Sequence, residues 1–175
     1  QGVLAQYCER LGLHDPVVEG FSTSAIVLQD CLDPRVLFPR TRITIPNPSL
    51  AYGVTPMGIT QGALVKGHRS YGGRHGSTTT NTNSGNRYGI VGRYTYEDAA
   101  IYSTQSTGDA IDTHAGCRHF IARNCDVYDS AGLGVNVECT SADLENIRVH
   151  KSAAGSVQML NYTERDGRYS LKNIT

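Results

Sequence analysis

The residues with the most chemical content lie in two short stretches, Asp112-Thr113-His114 and Asn136-Val137-Glu138. They supply two carboxylates, an imidazole and an amide. If both stretches are strands on neighbouring coils, the Cα atoms of Asp112 and Glu138 lie on the order of 8 Å apart. Paired carboxyl groups in glycoside hydrolases stand at about 5 to 9.5 Å, so Asp112 and Glu138 are candidates for acid and base. His114 beside Glu138 suits a different chemistry, proton abstraction next to a uronic acid, with Arg74 or Arg69 neutralising the sugar carboxylate. A third reading makes Asp112 and His114 a solvated strand end that hydrogen-bonds across coils. Arg74, His75, Asn136 and Gln158 are the candidate substrate-binding residues, because sugar hydroxyls need donors and acceptors in fixed geometry. No His-x-x-x-His pair or acidic loop spacing points to a metal, and no cofactor is expected.

Those side chains need a scaffold, and a repeat supplies it. Asn124 to Val137 matches Asn146 to Met159 without a gap at an offset of twenty-two residues. Each unit has two short alternating runs, Cys125/Val127 with Val135/Val137 and Ile147/Val149 with Val157/Met159, separated by a bend of Ser, Ala and Gly. Period-two alternation marks strands buried on one face. A repeat of roughly 20 to 25 residues built this way fits one coil of a β-solenoid, which hides its apolar face only by stacking on the next coil. The expected fold is therefore all-β, a parallel β-helix.

The register makes specific claims. Leu144-Glu145-Asn146-Ile147 recurs as Leu171-Lys172-Asn173-Ile174, with a polar stretch from Asn161 to Arg168 inserted as a loop. Asn124, Asn146 and Asn173 would stack at one corner, as an amide ladder or as ordinary turn residues. Thr107 to Thr113 can be laid on Gly132 to Val137, and Ser70 to His75 on Ser130 to Val135. With Ile111, Val135 and Val157 inward, the outer face reads Ala110, Asp112, His114, then Gly134, Asn136, Glu138, then Ser156, Gln158. Asp112, Asn136 and Gln158 form one column of a polar strip, a groove floor walled by the loop carrying Arg74 and His75.

Composition narrows the classes. The chain of 175 residues has 16 basic and 16 acidic side chains, 19 Gly, 10 Tyr and no Trp. A formal net charge of zero argues against nucleic-acid binding through phosphate neutralisation. No apolar run is long enough for a membrane span. Five cysteines, an odd number without a Cys-x-x-Cys pair, fit reduced thiols better than a disulfide framework or a zinc site. Cys117 and Cys139 would stack about 4.8 Å apart on neighbouring coils. That is within the roughly 4.4 to 6.8 Å a disulfide accepts, though a reduced pair is the preferred reading. The Asn-x-Thr triplets at Asn161 and Asn173 are read as chance.

Residues 1–50 read as a small N-terminal cap or connecting region and residues 51–175 as coils. Val3-Leu4, Tyr7-Cys8 and Leu11 recur at helical spacing, which suggests a short helix ending at Gly12, or an irregular cap. Ala25 to Leu28, Val36 to Phe38 and Arg42 to Ile45 read as strands punctuated by proline. Tyr71 to Asn86 reads as a long exposed loop. The chain begins at Gln1 without Met and stops at Thr175 part-way through a coil, so it is read as an excerpt of a longer polypeptide.

The segments Gly108-Asp109-Ala110-Ile111-Asp112-Thr113-His114-Ala115-Gly116-Cys117, Asn124-Cys125-Asp126-Val127 and Gly132-Leu133-Gly134-Val135-Asn136-Val137, preceded by Arg74-His75-Gly76, resemble the right-handed parallel β-helix of bacteriophage tailspike and tail-fibre proteins in the pectate-lyase-like superfamily. The resemblance covers about residues 60 to 175. It implies a homotrimeric virion tail protein, made in the bacterial host cytoplasm and assembled with other tail proteins, that recognises bacterial surface polysaccharide. Depolymerisation of that polysaccharide is a further expectation, without a set of catalytic residues matched one by one. A purely structural or adhesive stalk and a cellular lyase or hydrolase of the same fold are the alternatives.

Overall fold

Short alternating segments can bury an apolar face only against copies of themselves, and the computed structural model shows that arrangement from one end to the other. It describes residues 2–44, 50–80, 91–105, 107–160 and 168–175, among which there is no helix. All paired strands are parallel, and the path makes a β-solenoid of about six turns.

Three sheet faces run the length of the stack. The first carries β1 (Val3–Gln6), β4 (Ser24–Gln29), β7 (Tyr52–Met57) and β10 (His75–Ser77). The second carries β2 (Gly12–His14), β5 (Arg35–Leu37), β8 (Ala63–Lys66) and β11 (Val91–Glu97). On the third lie β3 (Val17–Glu19), β6 (Arg40–Arg42), β9 (Arg69–Tyr71) and β12 (Ala100–Tyr102). The long strands β13 (Ile111–Tyr128) and β14 (Leu133–Val149) pass through all three, followed by β15 (Gly155–Met159) on the first face and β16 (Tyr169–Ile174) on the second.

The core is a set of side-chain rows perpendicular to the strands. One row reads Val36, Val65, Tyr96, Ala122 and Leu144, another Val54, Ser77, Ile111 and Val135, all fully buried. The twenty-two-residue repeat is a physical register, with Cys125 on Ile147, Val127 on Val149, and Val135 on Val157. Leu144 pairs with Leu171 across the longer coil, and Asp112, Asn136 and Gln158 do form one column. Cys117 lies opposite Cys139, and both are free thiols.

The corner after the second face explains the asparagines. Asp15, Phe38, Gly67, Asp98, Asn124, Asn146 and Asn173 all take positive φ, at the same point of each coil. Asn and Asp tolerate this left-handed conformation better than other L-residues. The side chains then bond up the axis: Asn124 donates to Asp98 at 3.0 Å, Asn146 to Asn124 at 2.9 Å and Asn173 to Asn146 at 2.8 Å. Beside this amide ladder runs one of alternating charge, Glu97, Arg123, Glu145 and Lys172, with contacts of 3.4, 3.8 and 2.6 Å.

Three expectations need correction. The first residues are strand β1, registered on Ile26 to Gln29, rather than a helix. Backbone pairing along one edge to the next coil outweighs a short helical spacing pattern. His75 to Thr79 are buried in the stack and not an exposed loop, with Ser77 bonded to the Tyr94 hydroxyl and Thr78 to the Asp112 carboxylate; residues 81–86 lie outside the described residues. Ser70 pairs with Ile101, which pairs with Val127, so it does not align on Ser130.

Ser70 belongs to a polar cell inside the N-terminal coils. Thr41 donates to Ser70 at 3.2 Å and accepts from His68 Nε2 at 2.8 Å, while Tyr96 donates to His68 Nδ1 at 2.7 Å. His68 is fully buried and neutral, and burial pushes its pKa down to about 3. The unfolded chain, with an ordinary histidine, binds this proton near pH 6.5, so the contribution is fully present above that pH and is lost as pH falls toward 3. The expected loss is about 1.4 kcal/mol per pH unit across that window. Denaturation curves at pH 7, 6 and 5 should show the decline, and His68→Gln should reduce proton uptake on unfolding by about one. Equal slopes for variant and parent would contradict it.

Candidate functional site

The polar column of the first face sits where β13 departs from regular pairing. Thr113 pairs with Val137, and the next paired residue, Cys117, pairs with Cys139, so β13 takes four steps where β14 takes two. The extra residues form a bulge, a device that re-aims side chains. Here it brings His114 onto Asp112, with Nε2 at 3.1 Å from Oδ2, instead of leaving it level with Glu138.

Asp112 is not the exposed strip residue that alternation suggests. It is 1 % exposed, and its carboxylate accepts from Thr78 Oγ1 at 2.9 Å and from Asn136 Nδ2 at 3.1 Å. Asn136 is also buried, and the same amide nitrogen donates to Glu138 Oε1 at 3.2 Å. Ala110 is buried too. Glu138 is further held by its backbone N–H, which donates to Thr113 Oγ1 at 2.8 Å. Asp112 and Glu138 are thus joined through one amide. Gln158 continues the column but is exposed, at the rim.

His75 completes the group from β10. Its Nδ1 donates to the carbonyl of Asp109 at 2.7 Å, so in the neutral ring Nε2 carries a lone pair. That atom lies 3.8 Å from Asp112 Oδ2, is buried, and has no hydrogen-bond partner. Burial lowers the His75 pKa to about 4, so the contact with Asp112 is not an ion pair at neutral pH. Burial raises the Asp112 pKa, opposed by His114, Thr78, Asn136 and Arg74. Asp109 is raised by burial as well, opposed first by its bond from the Leu133 N–H, which it accepts at 2.7 Å. Arg74 acts here through its field on Asp112 and His75.

The structure therefore joins Asp112, His114, His75, Asn136 and Glu138 in one network, with Arg74 beside it. Sequence reading missed Thr78 and Asp109, whose places depend on a partner about thirty residues away. It also missed a second feature on the third face. Arg40, Arg42, Arg69 and Tyr71 line a groove of about 650 Å³ together with Val17, Glu19 and Thr41. Arg40 registers on Arg69 and Arg42 on Tyr71, a match visible in the triplets Arg-Thr-Arg and Arg-Ser-Tyr.

Tyr71 also ends an aromatic stack. Tyr71, Tyr102, Tyr128 and His150 follow one another at 4.7, 4.9 and 4.4 Å with nearly parallel rings. Interior members of such a stack have both faces covered. Tyr71, 44 % exposed, has one face on Tyr102 and its other side toward Arg42 and the groove. The class these features define is a parallel β-solenoid with a buried acid–imidazole network on one face and an arginine–tyrosine groove on another. Comparison of the chain with protein-family models, curated proteins and solved structures finds no match in any of the three.

Proposed function

We propose that the chain is the polysaccharide-binding solenoid of a bacteriophage tailspike or tail fibre, and that it holds an acidic glycan of the bacterial surface in the groove of Arg40, Arg42, Arg69 and Tyr71. The observation that carries the reading is the register of the groove: guanidinium groups on successive coils beside an aromatic ring with a face to offer. Among the described residues neither Arg40 nor Arg42 has a carboxylate within ion-pair distance, so both are available to an outside anion. Guanidinium groups pair with sugar carboxylates through two parallel hydrogen bonds, and aromatic faces accept the apolar side of a sugar ring. The parallel solenoid supplies the rigidity that keeps such groups at fixed spacing.

A trimeric virion setting comes with the resemblance and is part of the same proposal. Cleavage is the second reading, favoured by the two carboxyl groups that share Asn136. Paired Arg40→Gln and Arg69→Gln substitutions should weaken binding of an acidic polysaccharide at least about tenfold, near 1.4 kcal/mol, with stability lowered by no more than about 1.5 kcal/mol, since Arg69 also donates to the carbonyls of His68 and Asp98. Titration calorimetry at two salt concentrations checks this, since exposed charge contacts weaken with salt. Undiminished affinity in the double variant would remove the groove from the account.

A further inference from the structure

We infer that His75, Asp112 and His114 form a binding site for one divalent transition-metal ion of the zinc type. Three potential ligand atoms, one ring nitrogen of each histidine and a carboxylate oxygen of Asp112, all lie within 4.8 Å of one another. Two of the separations are 3.8 Å, from His75 Nε2 to Asp112 Oδ2, and 3.1 Å, from His114 Nε2 to the same oxygen. Ligands bound to zinc at about 2.0 to 2.1 Å in a tetrahedron stand roughly 3.4 Å apart, so only small side-chain movements close the site.

The independent observation is the orphaned atom. His75 is 3 % exposed, and its Nε2 has no hydrogen-bond partner. Because a carbonyl can only accept, the bond to Asp109 O requires the proton on Nδ1 and leaves a bare lone pair on Nε2. That lone pair faces a carboxylate oxygen, so two acceptors look at each other across a buried gap. A cation between them resolves the conflict.

The surroundings are those a metal site needs. The carbonyl of Asp109 fixes the tautomer and orientation of His75, and Thr78 and Asn136 fix the Asp112 carboxylate. Such outer partners orient ligands and sharpen their basicity. His114 is 41 % exposed, so ions can enter from its side and a solvent molecule can take a remaining position. Two imidazole nitrogens and one carboxylate suit zinc, cobalt or iron(II), whereas calcium and magnesium require mostly oxygen ligands.

The test is titration of the chelator-treated protein with Zn2+ by calorimetry and with Co2+ by visible absorption. The expected result is one ion per chain, a Co2+ ligand-field spectrum without a thiolate charge-transfer band, and a raised thermal midpoint. His114→Ala, at the accessible edge, should keep the native far-ultraviolet spectrum and lower affinity at least about 100-fold. His75→Gln serves as a second variant, expected to show the same loss. No binding, affinity unchanged in His114→Ala, or a thiolate band placing the ion on cysteines would each overturn the assignment. Glycan binding at the arginine groove is read separately, so failure of either proposal leaves the other standing.

Discussion

Asn136→Asp should destabilise the protein by about 3 kcal/mol or more, although it changes only an amide to a carboxylate. The Asn136 amide nitrogen donates to Asp112 at 3.1 Å and to Glu138 at 3.2 Å, in a site where the side chain is buried. An aspartate there removes both donors and sets a third negative group between two others. Burial already raises the Asp112 pKa, and an added neighbour of like charge pushes in the same direction. Gln158→Glu is the control. It lies one coil further along the same column but exposed, and should stay within about 0.5 kcal/mol. Urea denaturation of the three proteins checks the pair. A silent Asn136→Asp would mean that the network does not form.

The second large effect is at Val135→Asp, which is expected to cost more than about 4 kcal/mol and to leave the domain unfolded at room temperature. Val135 is fully buried, between Ile111 on one side and Val157 on the other. A charge in that row has no partner from either coil. A solenoid is held by coil-to-coil interfaces, so one broken row weakens the stacking on both sides. Loss of the far-ultraviolet strand signal would report it, and retained native structure would contradict the register.

Much of the scaffold was legible because a solenoid writes its register into the sequence. The matched runs from Asn124 and from Asn146 stack residue on residue. The corner asparagines were legible for the same reason, since one backbone conformation recurs at one point of every coil. Irregular coils hid more. Offsets near thirty residues between β6 and β9, or between β8 and β11, leave no gapless repeat to find.

The candidate site was legible in composition and misread in environment. Alternation put Asp112 and Asn136 on the outward face and therefore in solvent. Their burial comes from neighbours that no local pattern names: Thr78 from β10, and His114 returned by the bulge in β13. The expected pairing of His114 with Glu138 failed on the same two extra residues. His75 was expected on a loop wall; it is inside because Asp109 and Asp112 give its ring a polar place to be buried. The arginine groove needed the register of the third face, where the apolar signal is weakest.

The most direct measurement of the proposed recognition is incubation of the protein with purified surface polysaccharides from candidate host strains, acidic and neutral, following retention and chain length together. The account predicts retention of acidic polysaccharides that weakens with salt and is lost in the Arg40→Gln/Arg69→Gln variant. Equal retention of neutral and acidic chains, or retention that ignores both salt and those two arginines, would contradict it.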